Sequence, residues 1–219
     1  MDTHSWRSKP TLDHFLVEMM GSRPSAAGLV LNPEDVDAAM FDDTQPHDYG
    51  YKQGAQCTIG IDWGFSSMTA VTVWMEHLDG VKVMLENKND TQVASKIIIE
   101  DVVELIATYR VRNIYADIGG GKFENDAMKT EIGHSRKLQA IKHSCSVEEV
   151  EFQKDKEPML GNLRAHFEKR KVRIPQRFRD AKIQLKSYQY QEGTNKPKKE
   201  NDHIPDSIMC ALKRWRVST

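Results

Sequence analysis

Three aspartates stand where a carboxylate calls for a chemical reason. Asp62 closes the apolar run Cys57-Thr58-Ile59-Gly60-Ile61 shortly before Gly64, and Asp117 closes Asn113-Ile114-Tyr115-Ala116 before Gly119-Gly120-Gly121. Asp206 falls in the first turn of a C-terminal helical stretch, with Asp202 and His203 just upstream. A carboxylate within or at the end of a core strand is costly unless it is hydrogen-bonded, paired or bound to a metal. The first-turn amides of a helix favour an ionised carboxylate, which a metal ligand must be. Three aspartates with few His or Cys beside them suit a hard divalent cation, Mg²⁺ or Mn²⁺, rather than zinc. Two such ions, held about 4 Å apart by shared carboxylates, activate a water and stabilise the leaving oxygen in phosphodiester hydrolysis. His203 can orient that water or protonate the leaving group.

Each residue also has a local reading. Asp62 can cap its turn through the amides of Gly64 or Phe65. Asp202 reads better as a helix cap than as a ligand, and His203 can be a satisfied polar residue in a loop. The repeat of one pattern favours chemistry for Asp62 and Asp117. Two strand-end aspartates meet when their strands are neighbours in one sheet, and Met75 to Asp117 has room for the third strand and crossover helix this requires.

The elements that must position these residues follow from periodicity. β-Branched and aromatic runs predict strands at 57–63, 68–76 and 81–87, the last two joined by the Leu78-Asp79-Gly80 turn. A helix is expected over Val93 to Tyr109, with Val93, Ile97, Ile98, Val102, Leu105 and Ile106 on its buried side. Strand 113–117, a helix over Glu124 to Ile132 and a strand at Lys137 to Ile141 follow. Val147 to Arg170 reads as one or two helices interrupted near Pro158, Val172 to Pro175 as extended, and Arg177 to Tyr188 as helix. A loop or hairpin tip at 192–197 precedes a last helix over Pro205 to Val217, with Pro205 at its first position. The pattern is α/β: a mixed central sheet, three antiparallel strands then parallel ones, flanked by helices. Residues 1–54 read as an N-terminal helical arm and linker, with a stripe at Leu12, Phe15, Leu16, Met19 and Met20, a break at Gly21 to Gly28, and an Asn32-Pro33 helix start for Val36 to Phe41. Residues 55–219 read as the main domain.

At 219 residues the chain is long enough to bury a core. No run approaches the roughly 18 apolar residues of a membrane span, and Met1 to Pro10 is too polar for a signal peptide. Cys57, Cys145 and Cys210 are widely spaced in apolar surroundings and read as reduced core thiols of a cytosolic protein. The net charge of −1 hides a strong asymmetry. Residues 1–50 carry three bases against nine acids, whereas residues 164–199 carry twelve bases against three acids. A basic region of that density suits a phosphate backbone, DNA or RNA, and otherwise reads as a solvated helix face.

Gly60-Ile61-Asp62-Trp63-Gly64, Tyr115-Ala116-Asp117 and above all Lys198-Lys199-Glu200-Asn201-Asp202-His203-Ile204-Pro205-Asp206-Ser207 resemble the nuclease domain of the large terminase subunit of tailed bacteriophages, from about Cys57 to the C-terminus. Phe15 to Met20, with Gly28 and the Asn32-Pro33 helix behind it, is similar to the segment joining that family's ATPase motor to its nuclease. The resemblance implies an RNase H-like fold and metal-dependent endonuclease cutting of concatemeric phage DNA. It also implies that Asp62 bridges both ions while Asp117 and Asp206 each complete one site. Double-stranded DNA is the implied substrate, and within that reading Arg177, Lys182, Lys186, Lys198 and Lys199 of the basic region are expected to grip its phosphates. An ATPase domain, the small terminase subunit and the portal are implied partners, in the cytoplasm of the infected bacterium, with a monomer expected in isolation. No G-x-x-x-x-G-K-[ST] occurs, so the motor is not in this sequence. Two alternatives stay open. Ile59 to Ser67 also resembles the first phosphate loop of actin/Hsp70-like ATP-binding domains, and the basic region alone would suit a non-catalytic DNA-docking domain.

Overall fold

The computed structural model describes residues 28–64, 68–200 and 202–217. The helical stripe expected between Leu12 and Met20 lies outside them. Strands β1 (Met40–Phe41), β2 (Cys57–Asp62), β3 (Met68–Glu76), β4 (Lys82–Thr91), β5 (Asn113–Asp117), β6 (Ser146–Val150) and β7 (Val172–Pro175) form one sheet in the order β1-β7-β4-β3-β2-β5-β6. β2, β3 and β4 are antiparallel; β5 runs parallel to β2 and β6 parallel to β5. This is the mixed sheet expected, antiparallel strands first and parallel ones after. Side-chain alternation splits the core in two. Val71, Val73 and Met75 face α2 (Ser95–Tyr109), α3 (Lys122–His134) and α4 (Arg136–Ala140), while Ala70 and Trp74 face α1 (Pro33–Ala39), α5 (Phe152–Glu168), α6 (Arg179–Ser187) and α7 (His203–Leu212).

Local expectations hold where one periodicity dominates and fail where it does not. The strand expected at 137–141 is α4, capped by Ser135, whose hydroxyl accepts from the amide of Leu138. The strand lies instead at Ser146–Val150, inside a stretch read as helix; its edge position leaves Glu148 and Glu149 exposed, so no apolar alternation marks it. α5 runs unbroken through Pro158. Burial of Met159, Leu160, Leu163 and Phe167 offsets the roughly 3 kcal/mol an interior proline costs. α2 buries Ile98, Ile99, Val102, Val103, Leu105 and Ile106 and leaves Ile97 and Val93 outside, a face rotated from the one expected. The last helix begins two residues earlier than expected, at His203, and ends at Leu212.

The described part of the expected arm packs into the domain. Asn32 caps α1 through the amide of Glu34, and Val30, Leu31, Val36 and Ala39 are buried. The helix expected to reach Phe41 ends at Ala39 because Met40 and Phe41 extend the sheet as an edge strand beside β7. Val30 donates its amide to Tyr188 O at 2.8 Å, and Tyr190 donates to Gly28 O at 2.8 Å. That ladder braces the backbone around Tyr188, which matters at the site. Among the described residues no helix is long and apolar enough to cross a membrane.

Candidate active site

β2 and β5 pair in register Ile61 to Ala116, so Asp62 and Asp117 leave the sheet at neighbouring strand ends. α7 brings Asp206 to them by lying against β2. Gly60 permits that approach: a Cβ there would stand 1.9 Å from Ser207 O and 2.5 Å from Ala211 N. Buried hydroxyls then set the register of the helix. Ser207 Oγ donates to Gly60 O at 2.9 Å and pairs with Thr72 Oγ1 at 2.9 Å, while Thr58 Oγ1 donates to Ala211 O at 3.0 Å. His203 lies one turn before Asp206 on the same face.

Four carboxylates are buried here: Asp62, Asp117, Asp202 and Asp206. Asp62 Oδ2 meets His203 Nδ1 at 2.8 Å. Burial pushes Asp62 upward against that bond, and the neighbouring charges of Asp117 and Asp202 push it the same way. The bond to Asp62 in turn raises His203 above its ordinary value, favouring the imidazolium. Asp206 accepts from Tyr188 Oη at 3.0 Å through Oδ1 and from Lys156 Nζ at 2.7 Å through Oδ2. Burial still lifts its carboxyl to about 7, with Lys156 opposing. The Tyr188 phenol is pushed up by burial and by Asp206, so it stays a donor.

Asp117 is raised by burial, with the amides of Gly119 and Ile118 and the charge of Lys156 opposing. Its Oδ1 is buried without a hydrogen-bond partner. The loop behind it is fixed by Asn125, which accepts from Trp63 Nε1 at 2.8 Å and donates through Nδ2 to Asp117 O at 3.2 Å. A Cβ on Gly121 would fall 2.0 Å from the Trp63 ring, so the close approach this glycine allows is to indole.

Asp202 does not play the capping role its position suggests. Its carbonyl accepts from the amide of Asp206 at 2.8 Å, but its side chain makes no cap hydrogen bond. The carboxylate turns toward the site, 3.8 Å from Lys156 Nζ.

Four buried acids therefore face one lysine and one histidine, an excess of negative charge that buried groups hold at high cost. An all-oxygen donor set with one orphaned oxygen is the chemistry of a hard divalent cation. As the side chains stand, no group of three or more His, Cys, Asp or Glu among the described residues is arranged to hold an ion. Lys156 and His203 are engaged on the oxygens an ion would need.

The five basic residues divide. Arg177 pairs with Asp43 at 2.6 Å and donates to Leu85 O, and Lys182 and Lys186 both pair with Asp37, at 2.9 and 2.7 Å. α6 turns Gln184 toward α7, where its Oε1 accepts from the amide of Ile204 at 2.9 Å. Lys198 reaches Gln189 Oε1 at 3.3 Å and Lys199 is exposed, both on the segment leading to the site. Sequence reasoning passed over Lys156, Tyr188, Asn125 and Gln184. None carries a local signal: Lys156 sits in the mixed-charge run Gln153-Lys154-Asp155-Lys156-Glu157, and Tyr188 between a helix end and a hairpin.

No protein-family model and no curated protein matches this chain. Solved structures do. The large terminase of a thermophilic bacteriophage superposes with a TM-score of 0.66 at 16% identity over 90% of this chain and 48% of its own, so this chain spans about half its length. The large terminase nuclease from a second thermophilic phage, G20c, superposes with a TM-score of 0.63 at 15% identity, over 86% of this chain and all of its own. That nuclease is also known with bound magnesium, at 16% identity and the same TM-score over 86% of this chain and 98% of its own. The fold of this chain is the RNase H-like fold of large terminase nuclease domains.

Proposed function

We propose that this chain is a metal-dependent DNA endonuclease, the nuclease unit of a viral DNA-packaging terminase that cuts concatemeric phage DNA. The observation that carries the reading is the convergence of four buried carboxylates from β2, β5, the N-cap of α7 and its first turn, with Asp117 Oδ1 left without a partner. The likeness to a nuclease known with bound magnesium supports it. Asp62, which feels the charges of Asp117 and Asp202 and is itself felt at Asp206, would hold metal together with Asp117 and Asp206. Two Mg²⁺ or Mn²⁺ ions held there would supply an activated water and stabilise the leaving oxygen.

The chain's own residues supply the rest. Tyr188 holds the Asp206 carboxylate in place through its hydroxyl, and Asn125 with Trp63 holds the β5 to α3 loop. With Nδ1 engaged by Asp62, His203 has Nε2 to orient water or hand a proton to the leaving oxygen. Lys198 and Lys199 grip the DNA phosphates, contacts that position the duplex without reading its sequence. In a phage-infected bacterium the unit would act in the cytoplasm, joined to an ATPase motor through residues 1–54 and beside a small subunit and portal.

The test is degradation of supercoiled plasmid with Mn²⁺, Mg²⁺ or EDTA, comparing the wild-type chain with Asp62→Asn and Asp206→Asn. Metal-dependent cutting lost in both variants is expected. A folded wild type that cuts with no ion, or variants that cut like wild type, would overturn the assignment.

A further inference from the structure

We propose that the Lys156 ammonium fills one cation position of the carboxylate cluster, and that a divalent ion bound against Asp202 and Asp206 displaces it. This rests on the metal-dependent reading and adds a residue to it. Lys156 Nζ is 2.7 Å from Asp206 Oδ2 and 3.8 Å from Asp202 Oδ2, and its charge is felt at Asp117. It thus stands against two of the four buried acids, with its charge reaching a third. The fourth, Asp62, has His203 instead.

The side chain is built to leave. It rises from α5, which packs against α7, and its ammonium rests 5.0 Å from the Phe152 ring. At 23% exposure it keeps a path to water. A lysine is a point charge on a flexible four-carbon stem, so it can swing out without moving backbone, which a planar guanidinium held by two acids cannot do as easily. While it stays, it reduces the repulsion within the cluster and keeps the metal-free site folded. A divalent ion on the same oxygens repels it and competes with it. On the Asp62 and Asp117 side His203 occupies Asp62 Oδ2, but Asp117 Oδ1 has no partner and is open to an ion, whereas Asp206 has both its oxygens engaged. The wild-type chain should therefore bind two ions unequally.

The experiment counts Mn²⁺ bound to the full chain without DNA, by the electron paramagnetic resonance of free Mn²⁺, alongside thermal melting with EDTA or Mn²⁺. Wild type should show one tighter and one weaker ion. Lys156→Met should tighten the weaker one by roughly tenfold or more, since a neighbouring charge is removed. Its melting temperature should be lower than wild type in EDTA and rise further with Mn²⁺. Should Lys156→Met fold only with metal, that dependence supports the proposal, and Lys156→Arg, which keeps the charge, should leave the second ion as weak as wild type or weaker. Equal or weaker Mn²⁺ binding in a folded Lys156→Met, or tighter binding in Lys156→Arg, overturns the displacement while leaving the metal-dependent reading standing. No Mn²⁺ bound by wild type or Lys156→Met removes both.

Discussion

Replacing Gly60 by alanine should damage stability and cutting together, because one methyl group lands on the backbone that carries half the site. The added Cβ would stand 1.9 Å from Ser207 O, 2.5 Å from Ala211 N and 2.9 Å from Ala211 Cβ, where ordinary contact begins near 3.4 Å. Neither atom of the helix backbone can rotate away, so α7 must back off by roughly 1.5 Å. That movement opens the bond from Ser207 Oγ to Gly60 O and strains those of Thr72 and Thr58, all buried. Overpacking typically costs about 1–3 kcal/mol, and with buried polar groups separated as well about 3 kcal/mol is expected. For a chain of this size that lowers the melting temperature by roughly 6–12 °C. Asp206 and His203 ride on the displaced helix, and a misplacement of about 1 Å can reduce turnover by roughly 100-fold. Gly161→Ala is the matched control, since its Cβ meets nothing within 4 Å. In mid-helix it should stabilise by up to about 1 kcal/mol. Thermal unfolding and plasmid cleavage read both effects. Wild-type melting and cleavage in Gly60→Ala would mean that α7 is not seated on β2 as described.

Without metal, stability should fall as pH rises from 5 to 8. Asp206 folds with its carboxyl raised from 3.8 to about 7, and Asp62 and Asp117 are raised too, so the folded state holds protons the unfolded chain releases. The stability that retained protonation contributes is present below about 4 and is lost as pH climbs through 7; His203, also raised, extends the loss upward. Acids paired with lysine, such as Asp37 and Asp155, are lowered and titrate below this window. Melting curves in EDTA that rise between pH 5 and 7 would contradict this, and Mn²⁺, which binds ionised carboxylates, should reverse the trend. On a short DNA duplex, Lys198→Ala with Lys199→Ala should weaken binding and reduce the slope of log affinity against log salt by about 2. Lys182→Ala with Lys186→Ala should leave that slope nearly unchanged and cost under about 1 kcal/mol through Asp37; fluorescence anisotropy giving equal effects for the two pairs would refute the division.

Much of this arrangement is written locally. Thr58, Ile59 and Ile61, and Val71 to Trp74, are β-branched or aromatic whatever surrounds them, so the central strands and the aspartates at their ends are legible residue by residue. So is a helix start at Asn32-Pro33, because the cap bonds an amide two residues away. Long-range charge and burial are not legible in this way. Ser146 to Val150 becomes a strand because β5 offers it a partner, and Pro158 stays helical because its neighbours bury. Arg177, Lys182 and Lys186 form a basic run in sequence, yet the fold places Asp37 and Asp43 against them and neutralises part of it. Lys156 reaches Asp206 across 50 residues and Tyr188 across 18. The sequence by itself determined which carboxylates sit at strand ends and a helix start, since propensity and capping act over a few residues. Only the tertiary structure decided which cations and hydroxyls meet them, because those partners are chosen by packing between elements that share no local signal.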